Sequence, residues 1–171
     1  SEFGAGMAGI MHVLDFGPAR SPIIDNIHPR YRQVVLKRLM YQAAEKVADE
    51  LGIEVLVTGE AIGQVSSQTF AHLSALDRLG NRPVLRPLLT ADKDEIVAEA
   101  RRIGVAQLAE RAGEACDLAE GHRVETATSA GKVDRIAARV ADEALAAALA
   151  DWRVHDLATW LPGSDGELRA A

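Results

Sequence analysis

Residues 57–70, VTGEAIGQVSSQTF, hold the densest run of ligand-type groups in the chain. An apolar run ends in Thr58-Gly59-Glu60, Gly63 follows, and Gln64, Ser66, Ser67, Gln68 and Thr69 add amides and hydroxyls. Gly59 lets backbone approach a ligand, and Gly63 relaxes the turn. Hydroxyls and amides ahead of a helix can read a purine edge or a phosphate. The same residues also suit a capped turn that binds nothing, and by themselves they leave both readings open. Lys37 and Arg38 offer a point charge and a fork for an anion, or else form a solvated helix face. Arg86 and Lys93 bracket RPLLTADK with the same two readings. Arg86 follows an apolar run, where an unpaired guanidinium is costly, so it requires an anionic partner from the protein or from a ligand. Cys116, the single cysteine, sits in AGEACDLAEG without apolar periodicity. It can be a small buried hydrophobe or an attackable thiol, and Glu114 and Asp117 beside it disfavour a standing thiolate.

Three strand–helix pairs must position these groups. Residues 10–16, IMHVLDF, form an apolar run closed by Gly17-Pro18 and predict a buried strand. Residues 30–51 change to helical period, with Leu36, Met40, Ala43, Val47 and Leu51 on one face and Gly52 at the stop. IEVLVTG reads as a parallel strand covered on both sides. The polar turn then leads into a helix ending at Leu79, and residues 80–83, GNRP, form a turn. VLRPLL is a third strand, closed at Pro87. Thr90 or Asp92 caps a helix over 93–103, which Gly104 ends. Alternating strands and helices predict an α/β layer with parallel pairing. Ligands gather at the carboxyl ends of such strands, where the Thr58-Gly59-Glu60 turn falls. Residues 132–152 read as one Ala-rich C-terminal helix, and 151–171 as a tail.

The bulk numbers set outer limits. The 171 residues suit one domain, and 48% hydrophobic with only 4% aromatic content means that Ala, Leu, Val and Ile fill the core. A net charge of −6 disfavours non-specific binding of phosphate backbones by the chain as a whole and leaves room for a local basic patch. One cysteine excludes an intramolecular disulfide and a multi-cysteine zinc site, and the five histidines lack metal-ligand spacing. No run is long and apolar enough to span a bilayer, so a cytoplasmic protein without membrane contact is expected. Residues 1–6, SEFGAG, read as a cloning scar.

VVLKRLMYQAAEKVADELG, VLVTGEAIGQVSSQTF, VLRPLLTADKDEIVAEARRIG and the cysteine that follows occur in fixed order. Together they resemble the adenylating domain of the ThiI family, the tRNA sulfurtransferases that make 4-thiouridine and also serve thiamine thiazole formation. The resemblance covers residues 10–116 and runs on weakly to about 150. It implies an α/β fold of the PP-loop ATPase type (adenine nucleotide alpha hydrolase-like), a parallel sheet with flanking helices. It implies ATP, with Mg, contacted by Lys37, Gly59 and Gln68. It gives Cys116 a part in sulfur delivery, with persulfide sulfur drawn from a cysteine desulfurase or another donor. In the family the uridine is adenylated, a persulfide supplies sulfur, a disulfide is left behind and AMP departs.

The sequence departs from the family pattern in several places. It contains no Ser-Gly-Gly-x-Asp-Ser loop of the kind that grips pyrophosphate, and IMHVLDF resembles the family's third strand. No THUMP-type RNA-binding region and no rhodanese-like domain are recognised. Residues 7–150 are therefore expected to be a partial, truncated PP-loop domain. Such a domain needs a chain supplying the loop, or self-association, and engages tRNA only through a separate RNA-binding region. Two alternatives accompany this reading: a non-catalytic assembly or sulfur-carrier module, and an adenylating thiolation enzyme for a small molecule.

Overall fold

A computed structural model of the chain describes residues 9–63, 68–111, 118 and 124–157. Gln64, Ser66, Ser67, Cys116 and the expected scar at 1–6 lie outside the described residues.

The longest element, α2 (Pro29–Leu51), organises the rest. Pro29 opens it where a missing N–H costs nothing, and His28 Nδ1 accepts from the Arg30 N–H. Gly52 closes it with φ +65, a left-handed conformation that glycine adopts without a Cβ clash. Val35, Leu36, Leu39 and Ala43 of α2 pack with Ile23 of α1 (Arg20–Asn26) and Ala137 of α6 (Ala130–Ala137). Ala144 and Leu145 of α7 (Ala141–Leu149) complete this main core. A second cluster, Val34, Ala75 and Val133, ties α2 and α6 to α3 (Phe70–Leu79). Because α2 is packed on several sides, its buried surface is wider than a single stripe. Met40 and Leu51, expected on the inner face, are exposed instead.

The strands are short. β2 (Leu56–Val57) pairs in parallel with β3 (Val84–Leu85), Leu56 opposite Val84 and Val57 opposite Leu85. Leu56 and Val84 are half-buried, whereas Val57 and Leu85 are 65% and 56% exposed. The expectation of a strand covered on both sides is thus corrected: one face is covered and the other is open. β1 (Ile10–Val13) does not join this sheet. It pairs antiparallel with β4 (Arg153–Asp156), which brings part of the expected tail into the fold. β1 is half-buried at best, because β4 is its one partner among the described strands.

Asp92 caps α4 (Lys93–Arg102) with a complete capping box: its side chain accepts from the Glu95 N–H, and Glu95 accepts from the Asp92 N–H. Gly104 (φ +76) follows α4, and α5 (Ala106–Arg111) comes next. The predicted single helix over 132–152 is two helices, α6 and α7. They part at Val140 (φ −130, ψ −3), which is itself buried in the main core. Neither Gly nor Pro marks that break; burial of Val140 coincides with it. Among the described residues, no helix is long and apolar enough to cross a membrane.

Candidate functional site

The carboxyl end of β2 delivers Thr58, Gly59 and Glu60 onto a cavity of about 460 Å³. Lys37, Met40, Tyr41 and Ala44 of α2 form one wall, Leu56 and Val57 another, and Gln68 closes a third side. The helical period sets the α2 wall, since Lys37, Tyr41 and Ala44 recur at i, i+4 and i+7. The volume falls within the ~300–1,000 Å³ range of small-molecule sites.

Glu60 is the electrostatic centre of this end of the sheet. It is 4% exposed, and its carboxylate accepts from four donors: Lys37 Nζ at 2.8 Å, Tyr41 Oη at 2.5 Å, Thr58 Oγ1 at 3.1 Å and Arg86 Nε at 2.7 Å. Burial alone would push the Glu60 carboxyl up. The hydrogen bonds from Lys37, Tyr41 and Arg86, with the Lys37 charge, outweigh it and hold the pKa at about 2. Burial pushes the Tyr41 phenol up, and the bond to Glu60 and its charge add to this against a lowering by Arg86, leaving it at about 12. Burial disfavours the Arg86 cation, but bonds to Asp77 and Glu60 raise its pKa above the ordinary value. Arg86 grips Asp77 with both terminal nitrogens, at 3.1 and 2.7 Å. The anionic partner that Arg86 requires is therefore found within the protein.

Lys37 donates to Glu60 with one of its three protons, and two remain for an anion. Gln68 Oε1 accepts from the Ala61 N–H at 3.1 Å, which fixes the amide and leaves its NH2 as a donor. A Cβ built on Gly59 meets no described atom within 4 Å, so none of the described residues demands glycine there. Gly63 (φ +78) does need a left-handed conformation, and its N–H donates to the Gln68 carbonyl to close the turn.

Of the residues singled out by sequence, Lys37, Thr58, Gly59, Glu60 and Gln68 line one cavity, and Arg86 backs it through Glu60. Arg38 does not join them. It is buried against α6, with Nη2 3.6 Å from Asp134 Oδ1, as its position one residue round the helix requires. Lys93 is exposed at the first turn of α4, away from the lining. Tyr41 and Asp77 were not singled out. The i+4 spacing of Tyr41 from Lys37 was the available signal for the first, and no local pattern marks the second.

Comparison with known proteins gives this geometry a family. The family model described as "Thiamine biosynthesis protein (ThiI)" matches residues 1–142. The tRNA sulfurtransferase of Aeromonas hydrophila is 47% identical over 118 residues, covering 69% of this chain and 24% of that protein. That of Desulfurococcus amylolyticus is 40% identical over 146 residues, covering 84% of this chain and 30% of that protein. A crystal structure of a 4-thiouridine synthetase–RNA complex with bound ATP superposes with a TM-score of 0.80 at 27% identity, over 90% of this chain and 41% of that one. The chain thus spans about a quarter to a third of the length of these relatives. On these matches the chain belongs to the ThiI family.

Proposed function

We propose that this chain supplies one side of an ATP site used for the thiolation of a tRNA uridine to 4-thiouridine. The observation that carries the reading is the convergence of Lys37, Gly59 and Gln68, three residues separated in sequence, on the single cavity at the end of β2. The donor set fits a nucleotide. Lys37 keeps two donors for phosphate oxygens, the fixed Gln68 NH2 can donate to a base or ribose acceptor, and Met40, Ala44 and Val57 offer apolar surface to a purine face. Mg would ride on the phosphates. ATP adenylates the uridine oxygen with loss of pyrophosphate. A persulfide loaded on Cys116 by a cysteine desulfurase attacks the activated carbon as AMP departs, and a thiol of a partner chain then cleaves the S–S bond, freeing the thiouridine and leaving a disulfide. The thiazole of thiamine is a second destination for the same sulfur, consistent with the description of the family model.

The pyrophosphate grip would come from a chain segment bearing the Ser-Gly-Gly-x-Asp-Ser loop, which this sequence does not contain. The exposed Val55, just before β2, and Val57 on it support packing by that segment. Titration of the labelled chain with ATP, read through backbone amide signals, tests the reading. Shifts confined to the cavity lining and weakened by Lys37→Ala are expected. Shifts scattered over the surface, or none at millimolar ATP, would overturn it. The sulfur role is read separately, as a reducible one-sulfur mass gain after incubation with a desulfurase and cysteine that Cys116→Ser abolishes.

A further inference from the structure

The amino-terminal half of α3 carries an arrangement that the nucleotide cavity does not use. Phe70, its first residue, is 71% exposed, the highest exposure among the large hydrophobic residues described. The helix buries Leu73 and Leu76 toward the core and leaves Phe70 off that face. Ser74 and Arg78 follow Phe70 at i+4 and i+8, so the three share one outward stripe. Two hollows flank the stripe. One, of about 320 Å³, is lined by Phe70, Ser74 and Arg78 together with Arg86 and Leu89. The other, of about 360 Å³, has Ser74 and Arg78 on one side and Thr128 and Ser129 on the other. Ser74 and Arg78 are thus the ridge between two grooves.

Charge distinguishes the ridge from a leftover apolar patch. Asp77, the carboxylate in the first hollow, is gripped by Arg86 through both oxygens and is not available to Arg78. No hydrogen bond or ion pair joins Arg78 to another described residue. An exposed aromatic ring, a hydroxyl and an uncommitted guanidinium in a row are the groups that hold unstacked nucleotides: the ring takes a base face and the guanidinium a phosphate. A protein partner fits less well. Stable protein interfaces bury about 1,000 Å² or more around an apolar centre, whereas among the described residues the Phe70 hollow adds only Leu73 and Leu89 to the ring and is otherwise lined by Ser74, Asp77, Arg78 and Arg86.

The position matters too. Arg86 lines the Phe70 hollow and Glu60 lines the nucleotide cavity, and the two are joined at 2.7 Å. One ion pair is therefore the wall between the two spaces. A base stacked on Phe70 would lie against the far side of that wall from the nucleotide.

We infer that the Phe70–Ser74–Arg78 face of α3 binds a single-stranded RNA segment, with an unstacked base on the Phe70 ring and a flanking phosphate on Arg78. The choice of RNA rests on the proposed function, and it replaces the expectation that RNA is engaged only through a separate region with a contact on this chain itself.

The test uses the full chain and an end-labelled oligouridylate, followed by fluorescence anisotropy, with an RNA duplex of the same length as comparison. Phe70→Ala should weaken single-strand binding about tenfold or more, the range that one base–aromatic stack supports. Phe70→Tyr should restore it, and duplex binding should be unchanged by either. Arg78→Gln should reduce the salt dependence by about one phosphate contact. Because Phe70 is exposed, its variants should melt with the parent, and a melting curve checks this. The inference is overturned if oligouridylate fails to bind at millimolar concentration. It is equally overturned if Phe70→Ala binds as tightly as the parent, or if sedimentation shows a dimer that Phe70→Ala dissociates. ATP binding is scored on the same samples. Loss of Phe70-dependent RNA binding with ATP binding intact overturns this inference alone, and the converse overturns the nucleotide reading alone.

Discussion

Replacing Glu60 by Gln keeps the shape of the side chain and removes the charge on which Lys37 and Arg86 converge. The carboxyl is depressed from 4.5 to about 2, and at 1.36 kcal/mol per unit this corresponds to about 3 kcal/mol of stability at neutral pH. Removing one member of a buried ion pair costs roughly 3–5 kcal/mol when the other is stranded. Here the strand of consequences is softened, because Arg86 keeps Asp77 and Lys37 is partly open to water. The expected loss at pH 7 is therefore about 3 kcal/mol, a large share of the ~5–15 kcal/mol typical of a domain. The sign with pH follows from the depressed value. The contribution is present above the unfolded pKa near 4.5 and is lost as pH falls toward about 2. The gap between parent and Glu60→Gln should thus narrow to about 1 kcal/mol at pH 3. Urea unfolding at several pH values, followed by circular dichroism, measures both quantities. A gap below about 1 kcal/mol at pH 7, or one that does not narrow on acidification, would refute the reasoning.

Two further outcomes rest on local structure. Asp92→Ala removes the cap acceptor and half of the capping box on α4, and should cost about 1 kcal/mol, with earlier hydrogen exchange in the first turn of that helix. Leu39→Ala, in the fully buried centre of α2, should cost about 2–5 kcal/mol in the same urea assay, since α1, α6 and α7 all pack around the site and limit its collapse.

The sequence made the helices readable because their ends carry chemistry. Gly52 and Gly104 adopt the left-handed conformation that their positions implied, and Asp92 caps where a cap was sought. The β2–β3 pair is parallel as the alternation of elements predicted, but its strands are only two residues long, and their outer face is open. Apolar runs announce burial, and they cannot say which neighbour provides it. For the same reason IMHVLDF gave no hint of its antiparallel partner, because RVHD lacks the alternation that marks a strand. At the site, Thr58-Gly59-Glu60 after an apolar run marks the strand end, and Arg86 in an apolar strand implies an anion. What remained illegible was the convergence: that Glu60 faces Lys37, Tyr41 and Arg86 at once depends on how α2 lies across the ends of β2 and β3. Residues 36–41 could not reveal that a step of one residue, from Lys37 to Arg38, turns a cavity-lining cation into one buried against another helix.

The pairing of β1 with β4 has a bearing on how the chain is made. Ile10 lies opposite Asp156, and the Leu157 N–H donates to the Gly9 carbonyl, so the first and last described segments close on each other. During synthesis at about 5–20 residues per second, β1 is made roughly 7–29 seconds before its partner. For that interval an edge carrying the exposed Ile10 is unpaired, although α1 and α2 beside it can already form. The ribbon is a contact of very long sequence separation, so it cannot form until Arg153–Asp156 has been made and is lost whenever synthesis stops short of it.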